Sequence, residues 1–205
     1  MAKPLARSLY ALAGPALVAG LCLFGAVAIA QPMGTVSPRV QNLTPGLFCA
    51  PPEGDRRPAP DTMAGWVHVP DSPVEMVAQG NAAPAVIGLG FGVRYQLSDP
   101  SLAPGMVLPT HYTVTHPPMP PSATTSQSWT GSLVVGTIDT VFFQFDTTEE
   151  LQPGEWTFTA EAGGELLFSV LFTVTTPAEL PALAQLCQGD ALLSLLSQRS
   201  PGAAG

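Results

Sequence analysis

Basic residues are scarce in this sequence, and lysine is almost missing from it. The 205-residue chain contains seven Lys and Arg, of which Lys3 is the single lysine, against fifteen Asp and Glu. Beyond residue 30 it keeps five arginines and all fifteen acids, a net charge of −10. A surface of this sign repels phosphate backbones and anionic lipid headgroups. We therefore expect neither a nucleic-acid partner nor a membrane-bound mature protein.

The sequence also lacks the short motifs that carry common enzyme chemistry. It contains no GxSxG nucleophile elbow and no close CxxC pair. The stretch GLGFG (88–92) lacks the third glycine of a nucleotide-binding loop and lies within an alternating strand pattern. Glycines on one strand face let a loop or a large aromatic side chain lie close to the sheet. We expect no enzyme, and keep a hydrolase that pairs acids among Asp61, Asp71, Asp139 and Asp146 as the third alternative.

An uncharged apolar run spans 9–29 and follows a positively charged start. Small residues precede a cleavage position after Ala30, so residues 1–30 are predicted to be a secretory signal peptide. The run is long enough to remain as a membrane anchor, although Gly14-Pro15 breaks its helix early. Cleavage leaves 175 residues, the size of one domain, in a periplasmic or secreted protein of a Gram-negative bacterium.

Only two cysteines, Cys49 and Cys187, lie beyond the predicted signal peptide. An oxidising compartment favours joining them in one intramolecular disulfide. They stand 138 positions apart, so the chain-entropy model allows about 4–5 kcal/mol of stabilisation. Cys49 has no catalytic partner beside it in the proline-rich stretch GLFCAPPEGDRRPAPDT (46–62). We interpret the pair as scaffolding rather than chemistry.

Short alternating segments with turn signals between them fill residues 63–176. The predicted strands are 64–70, 73–79, 85–98, 110–116, 128–136, 140–146, 155–161 and 165–176. One face of the third strand holds Leu89, Phe91, Val93, Tyr95 and Leu97, and one face of the last holds Leu166, Phe168, Val170, Phe172 and Val174. This pattern predicts an all-β fold, an immunoglobulin-like antiparallel β-sandwich of about seven to eight strands.

Two segments flank the predicted sandwich domain. Residues 31–62 lack periodicity and are rich in Pro and Gly, so they are predicted to form an extended N-terminal segment. Residues 177–198 carry apolar residues at helical spacing, which predicts a short C-terminal helical segment. Residues 199–205 are predicted to be a disordered tail.

The stretch LQPGEWTF (151–158) resembles the corner before the penultimate strand of immunoglobulin-like and fibronectin-like domains. A tyrosine usually stands there and bonds the backbone through its hydroxyl. This chain has Trp156 instead. We expect the packing role to be kept and the hydrogen bond to be lost.

The blocks GLFCAP, APDT, GWVHVPD, PAVIGLGFGVRYQL and LQPGEWTFTA together resemble a family of secreted proteobacterial proteins described as a domain of unknown function. The resemblance covers residues 40–187, most of the chain beyond the predicted signal peptide. It implies a periplasmic protein without an established activity, and it supplies no catalytic or cofactor-binding residues.

Met106, His111, His116 and Met119 form the one metal-like constellation of the sequence. Thioethers with imidazoles suit copper(I), so a periplasmic copper-binding protein is the runner-up function. His111 and His116 are five apart, which directs them to opposite faces of a strand. The proline block 117–121 must also bend the chain to bring Met119 round. We therefore expect no metal and no cofactor.

Four aromatic residues are candidates for a binding platform: Trp66, Tyr95, Tyr112 and Trp129. Exposed together they suit a carbohydrate or peptide ligand, whereas buried they are ordinary core. The sequence leads to a non-catalytic binding or structural module, whose partner is a periplasmic protein, a peptide or a glycan.

The predicted cleavage site has a direct test. We expect the exported protein to begin at Gln31, because the small residues before that position suit signal peptidase. Intact-mass spectrometry of the exported protein measures the new N-terminus. A full-length chain recovered in the membrane fraction contradicts the prediction and favours the anchor.

Overall fold

The computed structural model describes residues 34–49 and 54–188. The predicted signal peptide, the predicted disordered tail and residues 189–198 of the predicted helical segment lie outside these residues. Within the described part, no helix is long and apolar enough to cross a membrane.

Strands dominate the described residues. They are β1 (Thr35–Val36), β2 (Val40–Cys49), β3 (Asp55–Pro58), β4 (Trp66–Val69), β5 (Met76–Gln79), β6 (Ala82–Pro84), β7 (Leu89–Leu97), β8 (Val107–Met119), β9 (Thr124–Val134), β10 (Ile138–Gln144), β11 (Gly154–Ala162) and β12 (Glu165–Thr175). A 3-10 turn at Thr148–Glu150 precedes β11, and a single helical turn, α1 (Pro181–Ala184), follows the last strand.

The strands form two facing sheets and one separate hairpin. One sheet has the order β1-β12-β11-β8-β9, with β6 parallel to β12, and the other has the order β10-β7-β2-β5. Strands β7 and β10 correspond to the B and E strands of an immunoglobulin domain, and β9-β8-β11-β12 correspond to C′, C, F and G. The predicted fold class, an immunoglobulin-like antiparallel β-sandwich, is confirmed.

The core lies between the two sheets and follows the predicted alternation with one exception. All five inward residues of β7 are buried. On β12, Leu166 is 40% exposed while Leu167 is buried, contrary to the prediction. A β-bulge between Ala160 and Glu161 shifts the register of the hairpin there, so the alternation changes face near the turn.

The glycine-rich face of β7 makes room for aromatic side chains. A Cβ atom at Gly92 would lie 2.1 Å from the carbonyl oxygen of Val141 and 2.6 Å from the Phe142 Cβ. Phe142 therefore crosses the strand on its outer face and stacks on Phe48 of β2, with 5.1 Å between ring centroids. The interpretation of GLGFG as a close-approach surface is confirmed.

The predicted N-terminal boundary differs from the structure. Val40–Cys49 is not an extended flanking segment but the strand β2, paired with both β7 and β5. A register shift between Gln41 and Thr44, where Asn42 has a φ of 55°, interrupts its alternation. Because of that irregularity and Pro45-Gly46, this stretch lacks the alternation of apolar and polar residues that predicts a strand.

The C-terminal segment contains a short helix, as predicted. Within the described residues, Pro181–Ala184 forms a single α-helical turn. Leu183 and Cys187 pack against the core from this segment. The tail is therefore held by a few side chains and by its covalent link to β2.

Trp156 takes over the hydrogen bond of the missing tyrosine. Its indole Nε1 donates to the carbonyl oxygen of Gln152 at 2.9 Å, and its ring is fully buried. The expectation that only packing is retained was wrong, because an indole N–H reaches the same kind of upstream carbonyl that a tyrosine hydroxyl would. Such a bond contributes about 1 kcal/mol.

Cys49 and Cys187 form the predicted disulfide, with 5.3 Å between their Cα atoms. The bond joins the end of β2 to the C-terminal segment. Because β2 is paired on both sides, the disulfide fastens the tail to the sandwich rather than holding β2 in place.

We expect the double variant Cys49→Ser, Cys187→Ser to melt several degrees lower than the wild type, since the long loop no longer restrains the unfolded chain. Limited proteolysis should then cut first beyond Thr175, while β2 stays protected by its two neighbours. Calorimetry and the masses of the fragments measure both effects. An unchanged melting temperature, or first cleavage within β2, contradicts this account.

Candidate functional site

A cleft of about 530 Å³ lies between the β3–β4 hairpin and the strand β10. Three contacts fasten the hairpin and its loop to the edge strand β9. The Arg57 guanidinium donates to the carbonyl of Thr130, and the Ser128 backbone N–H donates to the carbonyl of Asp61 at 3.1 Å. The Met63 backbone N–H donates to the Gln127 side-chain oxygen at 2.5 Å. These bonds place the hairpin as a wall over the β9–β10 side of the sandwich.

Strand β10 forms the floor of the cleft along its whole length. All seven residues from Ile138 to Gln144 line it. Successive side chains of a strand point to opposite faces, so a cleft lined by all of them follows the strand edge as well as one face. In the described part of the chain, β10 pairs with β7 alone.

Aromatic side chains form the apolar part of the cleft. Trp66 and Trp129 are half-buried and stand on the hairpin and on β9. The Arg56 guanidinium covers one face of Trp66, with Cζ 3.8 Å from the ring centroid. Trp129 packs its inner side on Phe143, with 6.4 Å between centroids.

A polar cluster closes one end of the cleft. Gln144 Nε2 lies 2.6 Å from Asp146 Oδ1 and 2.7 Å from His68 Nε2. His68 Nε2 is 3.4 Å from the same Asp146 oxygen. Gln144 is 8% exposed, and its Oε1 accepts no hydrogen bond from the described residues. The cluster therefore offers an unused acceptor beside a carboxylate.

Glu150 supports this cluster from below. Its side chain is buried, and its Oε2 accepts the backbone N–H groups of Asp146 at 2.7 Å and Thr147 at 2.9 Å. Burial raises the pKa of Glu150, although the two backbone donors oppose that shift. The bonds fix the backbone from which Asp146 projects into the cleft.

A second, half-buried acid, Asp139, lies at the other end of β10. Tyr95 donates its hydroxyl to Asp139 Oδ2 at 3.3 Å, and the Tyr95 and Tyr112 hydroxyls are 3.2 Å apart. Burial raises the pKa of Asp139, raises that of Tyr112 to about 12, and raises that of Tyr95. Both phenols are therefore neutral at pH 7 and hold the Asp139 carboxylate at the cleft floor.

The structure separates the four predicted platform residues into two pairs. Tyr95 and Tyr112 are core residues, as the alternative interpretation of this set had it. Trp66 and Trp129 line the cleft from different strands. The four therefore do not form one exposed platform, because β7 and β8 direct their tyrosines between the sheets.

The predicted metal constellation is not brought together. His111 is exposed and His116 is buried, on opposite faces of β8 as predicted. His116 donates from Nδ1 to the Pro117 carbonyl at 2.8 Å, and Met119 is buried with its sulfur 3.7 Å from Gln127 Nε2. Met106 lies apart, 41% exposed. In the residues that the structure describes, no three His, Cys, Asp or Glu side chains are placed to hold a metal ion.

Three of the four candidate acids line the same cleft. Asp71, Asp139 and Asp146 stand around it, whereas Asp61 lines a neighbouring hollow of about 390 Å³ on the other side of the hairpin. His68 with Asp146 resembles a base with its orienting acid. No serine, threonine or cysteine of the described residues hydrogen-bonds to His68, and its hydrogen bonds to Asp146 and Gln144 both use Nε2.

Sequence reasoning missed most of the polar cluster. Gln144, Asp146 and Glu150 are close together in the sequence, whereas His68 reaches them from a distant strand. The one available signal was the spacing of Trp66 and His68, which places both on one face of a strand.

The strand order and the cleft define an immunoglobulin-like β-sandwich with a hairpin inserted over one side. Residues 36–174 match the family described as a domain of unknown function, DUF3859, and the chain belongs to that family. A crystal structure of an immunoglobulin-like protein from Pseudomonas aeruginosa is similar, with 20% identity and a TM-score of 0.41, over 66% of this chain and 96% of that one. No curated protein matches the chain significantly.

The raised pKa of Glu150 predicts a pH-dependent stability. Burial disfavours the ionised form in the folded state, so the stability from this group is fully present below the usual glutamate pKa and is lost as the pH rises through the raised pKa. Glu150→Gln keeps an acceptor oxygen and removes the charge. We expect the unfolding free energy of the variant minus that of the wild type, measured by urea denaturation, to increase from about pH 4 to about pH 8.

Glu149→Gln is the matched control. Glu149 is exposed, and a hydrogen bond from its own backbone N–H lowers its pKa. The unfolding free energy of this variant minus that of the wild type should therefore decrease as the pH rises. Equal slopes for the two variants, or a pH-independent difference for Glu150→Gln, contradict the assignment.

Proposed function

We propose that this protein is a non-catalytic binding module of the cell envelope and that its ligand enters the cleft between the β3–β4 hairpin and β10. The observation that carries the proposal is the composition of this cleft. It combines two half-buried tryptophans with an unused buried acceptor and three carboxylates, in a volume typical of ligand sites.

The location is proposed from two features. The N-terminal 30 residues have the charge and hydropathy order of an export signal. The Cys49–Cys187 disulfide suits an oxidising compartment. Both support a periplasmic or secreted protein.

The absence of catalysis is proposed from the geometry of the histidine. A hydrolytic triad needs the acid on one ring nitrogen and a nucleophile on the other. His68 instead meets both Asp146 and Gln144 through Nε2. With the acid on Nε2, a nucleophile would have to meet Nδ1, and no serine, threonine or cysteine of the described residues hydrogen-bonds to that nitrogen. This arrangement supports recognition rather than proton transfer.

Site-specific photo-crosslinking in living cells tests the proposal without knowledge of the ligand. A benzophenone amino acid at Ile138, which lines the cleft and is 60% exposed, should give a discrete adduct after irradiation. The same group at Leu166, exposed on the other sheet, is the matched control. We expect an adduct from position 138 alone, and expect Trp66→Ala to reduce its yield severalfold.

Adducts of equal yield from both positions, or none from position 138, overturn the proposed site. A melting curve of the Trp66→Ala variant shows whether the sandwich remains folded. Hydrolysis of ester, glycosidic or peptide model substrates that disappears in His68→Ala would overturn the non-catalytic assignment.

A further inference from the structure

The free edge of β10 carries unpaired backbone groups inside the cleft. Just beyond the strand, Phe145 N–H donates to Leu89 O and Phe145 O accepts from Gly88 N–H, each at 3.0 Å. Residues of an antiparallel strand bond alternately to its two sides. Phe143, Val141 and Asp139 therefore bond to β7, and their even-numbered neighbours face the cleft.

Contacts around the two glycines of β7 support this assignment. The carbonyl oxygens of Val141 and Phe143 lie against Gly92 and Gly90, on the β7 side. On the opposite edge, the Thr140 N–H is held by Asp139 Oδ1 at 2.9 Å. Among the described residues, the backbone N–H and C=O groups of Ile138, Phe142 and Gln144 form no backbone hydrogen bond on that edge.

Such an edge is normally blocked in a folded protein. Natural sheets protect edge strands with lysine, proline, bulges or a covering strand. β10 contains neither lysine nor proline and pairs with β7 without a register shift. The hairpin stands beside this edge but pairs only β3 with β4, so it leaves a channel rather than a seal.

The charged residues that line this channel, which is the part of the cleft beside β10, determine which extended ligands fit it. Asp71 lines it from the loop after β4, and Asp139 and Asp146 line it from β10 and the residues just beyond that strand. Among the described residues, Glu150 is a fourth acid of the lining and Arg57 is its one arginine, so acids outnumber arginines there. The channel therefore complements a cationic segment, and the acidity of the chain itself opposes pairing with a second copy.

We propose that the cleft binds an extended, basic peptide segment of a partner protein, which adds to the free edge of β10 as a further strand. This inference rests on the proposed function and names its ligand class. Main-chain bonds to Ile138, Phe142 and Gln144 would hold the segment, while Trp66 and Trp129 receive side chains on either side of it. Lysine or arginine side chains of the segment face the three carboxylates.

Synthetic peptides test the strand pairing directly. A bead library of acetylated heptapeptide amides, incubated with the purified, disulfide-bonded exported protein, should be enriched in Val, Ile, Thr, Lys and Arg among its binders. The tightest peptide is then remade with one N-methyl group at each backbone nitrogen in turn. Methylation should weaken binding about tenfold or more at alternate positions and less than about twofold between them, because only alternate residues pair with the edge.

Charge complementarity has its own matched pair of variants. Asp71→Lys places a cation in the channel, while Glu155→Lys makes the same change of charge at an exposed site outside it. At low ionic strength we expect Asp71→Lys to weaken the peptide about tenfold and Glu155→Lys to leave it within about twofold. Equal effects of the two would show that only the overall charge matters, and would overturn the basic-ligand assignment.

The outcomes separate this inference from the proposed function. The proposed function and the strand-pairing inference are both supported if protease digestion shortens the photo-adduct at position 138 and the N-methyl effects alternate along the peptide. An adduct that resists protease, or library binders without alternation, overturns the strand-pairing inference and leaves a cleft for a glycan or a differently bound ligand. No adduct and no binding peptide overturns both.

Discussion

Strands β9 and β10 follow each other along the chain but belong to opposite sheets, and the described structure depends on how this side of the sandwich is covered. No ladder of backbone bonds joins the two strands, so the core would open to water beside Trp129 and Phe143. The β3–β4 hairpin and its loop cover this opening, and they hydrogen-bond to β9 through Arg57, Asp61 and Met63. Because it bonds to β9 and not to β10, the cover is incomplete. The cleft is the space that remains.

Much of the sandwich could be predicted because its central strands are regular. The alternation in β7 and in most of β12 reports burial directly, and the glycine face of β7 correctly indicated a close aromatic neighbour. The failures share one cause, which is that irregular strands break the two-residue period. Because of the bulge near Ala160, Leu166 is exposed although it was predicted to face the core. Because of the irregularity near Asn42, the strand β2 was predicted as part of an extended proline-rich segment. The disulfide was predictable from the predicted signal peptide and the cysteine count alone.

The candidate site was much less predictable, since its geometry depends on distant pairings. His68 meets Gln144 and Asp146 only because the hairpin is folded back over β10. Residue type alone favoured the four aromatics equally, yet strand direction buries Tyr95 and Tyr112 and leaves Trp66 and Trp129 at the cleft. The same holds at the corner before β11. Sequence placed Trp156 there but did not reveal that the indole N–H reaches Gln152, which requires the turn geometry.

The hairpin lies between two strands that are adjacent in the four-stranded sheet, β2 and β5, and this position affects which changes of sequence the domain tolerates. Its two ends leave and rejoin the four-stranded sheet at adjacent strands, where Leu47 pairs with Ala78, and Cys49 is anchored covalently at the departure point. Adjacent strands lie about 4.8 Å apart, so an inserted segment of any length closes there at little entropic cost to the core. The junction between β2 and β5 therefore places little constraint on the length of the segment inserted there. Recombination or loop grafting at this junction changes the wall of the cleft and retains the floor.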